Sequence, residues 1–375
     1  MIRAAALALL LAAPAAAQDT DTILTARRAA QQLAQAAVAL QESEGARDRV
    51  AALTQTVKAY EEGLLALRDG LRRAAIREQS IRLAFAAKRD EVTRLTGVLM
   101  SLQDSEGPVL LLHPAGPLGM ARSGMMLAEI TPAIQAEAEA LKSELEEVAT
   151  LRSIQAGAAA NLEAGLSGVQ QARTELSQAI AQRGDLPTRY AEDPEALSAL
   201  IQAADTMESF AAGMMAVPLE EGAPDTPDFT GMKGTLPLPV DGILLRAYKE
   251  PDAAGVRRPG LLVATHPLSL VTTPAAATIR YAGPLLDYGN VIVLEPDGGY
   301  LVVLAGLGQT FVSAGEVLPP EAALGLMGGR TPEAAEFLTD AQQGGGTERS
   351  ETLYIELREG GTPVDPAPWF ALQKG

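Results

Sequence analysis

The chain has 375 residues, no cysteine, two histidines and a formal net charge of −17. That length holds two or three domains, and the acidic balance disfavours nucleic acid or an anionic membrane surface as partner. Lack of cysteine removes disulfides, thiolate metal sites and a cysteine nucleophile from consideration.

The opening "MIRAAALALLLAAPAAAQ" has a basic start at Arg3, an apolar run from Ala4 to Ala13 and small residues at Ala15 and Ala17. This pattern predicts a secretory signal peptide over residues 1–17, cleaved before Gln18. No later run approaches the ~20 apolar residues of a membrane-spanning helix. The expectation is a protein exported to the periplasm.

Residues 19–187 are rich in Ala, Leu, Glu, Gln and Arg. Val50, Leu53, Val57, Tyr60, Leu64, Leu67, Leu71 and Ala74 alternate steps of three and four. The register continues through Ile81 and Phe85 to Leu102, interrupted by Glu78 and Lys88. Such spacing lays one apolar seam along a helix, which must be buried on another helix. A second seam runs through Ile134, Ala138, Leu141, Leu145 and Val148, then Leu162, Leu166, Val169, Leu176 and Ile180. The glycines and prolines of residues 105–124 are expected to break the helix between the seams. Two arrangements bury both seams, an antiparallel coiled-coil hairpin and a dimer. The hairpin needs only one chain and is the more economical.

Residues 188–216 carry a further helix. Asp193 stands as its N-cap with Pro194 at the first helical position. Leu197, Leu200, Ile201, Ala204, Met207, Phe210 and Met214 then share one face. Such a stripe packs on a neighbouring core or docks in a groove. An acidic, proline-rich linker is expected over 217–235.

From residue 236 to 375 the sequence reads as short strands between turns: 242–248, 260–266, 277–283, 290–296, 300–306 and 352–358. The ordered series "LPLPVDGILLRAY", "RRPGLLVAT", "AGPLLDYGNVIVLEP", "AGEVLPPEAALGLMGG" and "LYIELREGGTPVDPAPWF" resembles the LytM domain of lysostaphin-type peptidases. With the signal peptide and coiled coil ahead of it, the chain is most similar to EnvC-type murein hydrolase activators. The expected fold class is α + β multidomain: a long antiparallel coiled-coil hairpin, then a β-rich LytM-like domain.

Active members of the peptidase family hold zinc through H-x-x-x-D and the second histidine of H-x-H, with two further histidines assisting the attacking water. The resemblance places these positions on Arg258, Leu262, Gly306, Thr352 and Tyr354. None of these residues is the family's. Only His113 and His266 exist in the chain, too few for such a zinc site or an obvious Ser-His-Asp triad. No metal and no cofactor are expected, and no catalysis.

What the resemblance implies instead is a groove that grips a helix. Its groove positions fall on Tyr354, Arg358, Tyr288, Leu262, Leu304 and Pro259. The implied partner is an N-acetylmuramoyl-L-alanine amidase, whose inhibitory helix docks there. The implied partner of the coiled coil is the FtsEX-type division transporter, and peptidoglycan is a further candidate ligand. The helix of residues 188–216 is expected to be autoinhibitory, its Leu197, Ile201, Met207 and Phe210 face resting in the groove.

Overall fold

Two hydrophobic periods, near 3.5 in the N-terminal half and 2 in the C-terminal half, dictate two kinds of element, and a computed structural model of the chain contains both. It describes residues 31–32, 34–43, 45–87, 93, 97, 116–182, 186–189, 191, 193–217, 229–296, 299–330 and 350–371. These divide into two compact units, one within residues 1–66, 163–337 and 345–375, the other within 67–162. The chain is therefore α + β, a helical N-terminal region followed by an antiparallel β-rich domain.

Helix α1 spans Ala46–Ala87 and α2 spans Gly116–Gln182. In the first unit the seam residues Val50, Leu53, Val57 and Leu64 are buried, as are Leu166, Val169, Leu176 and Ile180. Two glycines permit close approach there. A Cβ on Gly168 would lie 2.7 Å from the Tyr60 ring, and one on Gly165 would lie 3.0 Å from Leu64. The partner number falls as the other rises, so the helices run antiparallel in this unit. In the second unit Glu78 is buried in the seam. It is satisfied by Arg152 at 3.1 Å and Gln155 at 3.2 Å from α2, and by Arg82 one turn on. The polar interruption of the heptads is thus a cross-helix ion pair. Of the expected break over 105–124, residues 116–124 are helical instead, and 105–115 lie outside the described residues. Pro117 falls in the first helical turn, where no backbone N–H is required. Val92, Leu95, Leu99, Leu102 and His113 lie outside the described residues.

The C-terminal half forms one antiparallel sheet. Its strands are β1 Gly242–Arg246, β2 Leu261–Thr265, β3 Leu270–Thr272, β4 Ala277–Pro284 and β5 Asn290–Glu295. They continue as β6 Tyr300–Thr310, β7 Val317–Leu318, β8 Ala323–Met327, β9 Glu351–Glu359 and β10 Thr362–Val364. The main order is β1-β2-β9-β6-β5-β4-β7, with β10 on β9 and the β3–β8 pair joined to β6. Residues alternate between faces along each strand. One face buries Leu261, Ile292, Leu304, Leu353, Ile355 and Leu357. Phe229 belongs to that core and stacks on Trp369 with centroids 4.9 Å apart, so the end of the proline-rich stretch is drawn into the domain.

Two further helices are α3, Pro194–Ala203, and α4, Met207–Ala216. The expected single helix is divided at Ala204–Thr206. Asp193 caps α3 by accepting the Ala196 N–H at 2.9 Å. Thr206 and Ser209 make a reciprocal capping box that starts α4. The two helices touch closely, because Gly213 leaves room for Leu200.

Candidate functional site

The second face of the sheet is floored by alternate residues of β5, β6 and β9: Val291 and Val293, Leu301, Val303 and Ala305, and Tyr354. Helices α3 and α4 cover it. Met207, Phe210, Ala211 and Met214 are buried against the sheet, and Leu197 and Ile201 are partly buried in the same cluster. Phe210 meets Tyr281 edge-on, centroids 5.0 Å apart and planes at 73°. The four residues named from sequence on the helix therefore lie in one cluster with Tyr354, Tyr288 and Leu262.

Strand β9 supplies the polar end of this face. Tyr354, Glu356 and Arg358 are spaced by two and point the same way. The Tyr354 hydroxyl donates to Glu356 Oε2 at 2.6 Å, and Arg358 Nε donates to the other oxygen at 2.5 Å. Arg358 Nη1 donates to the Gly361 carbonyl at 2.8 Å. Burial, then the Glu356 charge, pushes the Tyr354 phenol far above the usual tyrosine range. It stays a neutral donor at any physiological pH. Arg358 is 1% exposed, so it is a buried network residue in this state, unlike the solvated strand-end charge its position in sequence resembles.

The five positions matching the peptidase's three zinc ligands and two catalytic histidines are also placed. Leu262 on β2 is opposite Tyr354, and Tyr354 is opposite Ala305, next to Gly306. Thr352 is exposed and faces Ala264 across the strands. Gly306 has φ +101°, and a Cβ there would come within 2.6 Å of the Thr352 carbonyl oxygen. No side chain fits. Arg258 precedes β2 and pairs with Asp252 at 3.1 Å. A small pocket lined by Arg246, Glu250, Arg258, Leu262 and Tyr354 opens beside them. The fold family implies a zinc ion, but these residues do not fit one: a guanidinium repels it, and leucine and glycine offer no side-chain donor. Among the described residues no group of three or more His, Asp or Glu side chains is arranged to hold a metal.

The other groove positions separate. Tyr288 ends a short 3-10 turn, Leu286–Tyr288, and is half-buried beside the helix cluster. Pro259 is half-buried just before β2. Leu304 requires correction. It pairs with Ile355, one residue from the Ala305–Tyr354 pair, so it points to the opposite core and is fully buried there. A one-residue step reverses the face. Residues missed from sequence include Glu356, Tyr281, Arg280 and Glu295. The period-two relation of Glu356 to Tyr354 was the available signal for the first.

Residues 257–366 match the model of Peptidase family M23. This segment is an M23 peptidase-family domain of the LytM type. The M23 domain accounts for strands β2 to β10 and leaves the helical region outside the match. The chain is also 28% identical over 142 residues to the uncharacterized protein NMB1333 of Neisseria meningitidis serogroup B, covering 38% of this chain and 21% of the relative. It thus spans about a fifth of that relative's length. Among solved structures, Helicobacter pylori Csd3 aligns at 14% identity over 37% of this chain and 34% of its own, TM-score 0.28. A zinc-containing peptidase from Vibrio cholerae aligns at 17% identity over 37% and 40%, TM-score 0.28. Lysostaphin from Staphylococcus simulans aligns at 18% identity over 34% and 49%, TM-score 0.26.

Proposed function

We propose that this chain is a non-catalytic activator of periplasmic N-acetylmuramoyl-L-alanine amidases, working in septal peptidoglycan splitting. Its M23 domain binds the inhibitory helix of the amidase on the sheet face around Tyr354. The observation that carries this reading is that the face already seats a helix: Met207, Phe210 and Met214 of α4 bury against it. A surface that accommodates an amphipathic helix of its own chain has the shape and chemistry to accommodate another's.

Substitution of the ligand positions supports the same reading. Leu262 and Tyr354 make the floor apolar and aromatic where the peptidase family has charged metal chemistry. The α3–α4 pair then acts as a resident inhibitor. Its departure exposes the groove, and docking of the amidase helix shifts the enzyme toward its open state by differential binding. The coiled coil is assigned to an FtsEX-type transporter whose movement releases the pair.

The test is release of dye from labelled peptidoglycan by a purified amidase, with and without this chain. Stimulation by the full chain, stronger on removal of 190–216 and lost with Tyr354→Ala, is the expected pattern. Dye release by the chain alone, or binding of the amidase without stimulation, would overturn it in favour of an endopeptidase or a passive adaptor.

A further inference from the structure

Strand β4 breaks register at Arg280. Ile279 pairs with Leu294 and Tyr281 with Val293, so Arg280 is the extra residue of a bulge. It is 5% exposed. Its Nη2 donates to the Met214 carbonyl at 2.8 Å and to the Val217 carbonyl, while Nη1 pairs with the Glu295 carboxylate. Those two carbonyls belong to the end of α4. The last carbonyls of a helix lack intrahelical donors, and α4 has no basic residue in its final turn and an extended Val217 as its C-cap. The sheet, through Arg280, supplies the cap that the helix does not carry. A cation there also complements the helix dipole, and Glu295 fixes and neutralises it.

We propose that Arg280, held by Glu295, reads the direction of whatever helix lies in the groove. It retains α4 by its C-terminal carbonyls. A helix that replaces α4 enters with the same polarity, presents an apolar i, i+3, i+4, i+7 face, and ends its last turn at Arg280. The aromatic anchor of that face falls opposite Tyr281, as Phe210 does. Retention of α4 stands on the contacts alone, whereas the statement about an incoming helix rests on the helix-exchange reading above.

Two arms test this. In the first, hydrogen exchange is followed across the full chain with Arg280→Leu. Amides of Met207–Val217 should exchange about tenfold faster or more, the scale of a lost charged hydrogen bond, with β6 unchanged and partial recovery in Arg280→Lys. Unchanged α4 exchange, or equal loosening of β6, would overturn the proposal. In the second, Phe210→Glu expels α4 from the full chain, and a synthetic peptide of residues 193–217 is titrated in. Adding Arg280→Leu should weaken the peptide about tenfold, while a peptide ending at Gly213 should not distinguish the two chains. Equal affinity of the long peptide for both, or no binding to either, overturns the polarity claim. Neither arm contains an amidase, so failure here is distinct from failure of amidase activation.

Discussion

Truncating Phe210 to alanine separates docking of the helix pair from stability of the sheet. The Phe210 side chain is fully buried between α4 and the sheet, with its ring edge-on to Tyr281. A buried Phe→Ala change costs about 3–5 kcal/mol through lost transfer energy and the void left behind. The aromatic pair supplies about 0.5–1.5 kcal/mol of that loss. The cost falls on the docked state of α3–α4, because Ile292, Leu304 and Ile355 hold the other face of the sheet together without it. At about 1.4 kcal/mol per factor of ten, the docked population falls by a hundred- to a few thousand-fold relative to the open one. Limited thermolysin digestion reads this, since cleavage follows the open population when opening is fast. Cuts within residues 194–217 should accelerate about a hundredfold or more, with β5 and β6 intact. A variant that keeps its native circular dichroism and is cut there at the wild-type rate would refute the reasoning.

Three further outcomes follow from local chemistry. Glu61 pairs with Arg173 at 2.7 Å and accepts the Leu270 N–H at 3.1 Å. Burial lifts its carboxyl above the ordinary glutamate range against the pull of Arg173. The folded state then holds the proton more tightly than the unfolded one, so the contribution is full below the unfolded pKa and lost as pH rises through the folded one. In urea melts the stability of wild type minus Glu61→Gln should therefore grow as pH falls. Glu78 behaves oppositely. Burial raises its carboxyl, but hydrogen bonds from Arg152 and Gln155 and the charge of Arg82 outweigh it and leave the group below its ordinary range. Its contribution is present above the unfolded pKa and lost on acidification through the folded one, and Glu78→Gln should remove that acid sensitivity from the helical melt. Gly260→Ala places a methyl 2.6 Å from both the Ile355 carbonyl oxygen and the Tyr354 ring. The domain should lose about 1–3 kcal/mol in chemical denaturation, the cost of overpacking.

Features set by local period were legible in the sequence. The seams through Leu53, Val57 and Leu64 and through Leu166, Val169 and Leu176 are buried as the heptads require. The Asp193 cap and the Met207–Met214 stripe were equally readable. The capping box at Thr206 and Ser209 that divides the helix stands in the sequence as T-x-x-S, with serine where the usual signal carries Glu or Gln. Features set by register were not legible. Leu304 and Ala305 differ by one position and face opposite cores. Arg280 reaches α4 only because a bulge interrupts β4. The short strands Leu270–Thr272 and Ala323–Met327 owe their existence to each other and to β6, a pairing far apart in sequence. Gly325 belongs to that pairing, since a Cβ there would meet the Gln309 carbonyl oxygen at 2.1 Å.

The central claim concerns what occupies the Tyr354 face, and a photocrosslinker in place of half-buried Tyr288 reports this directly. In the resting full chain the adduct should map within residues 194–217. Once the amidase is added to a chain bearing Phe210→Glu, the adduct should move to a helix of the amidase. An adduct that never reaches the amidase, in a chain that solubilises peptidoglycan unaided, would contradict the account.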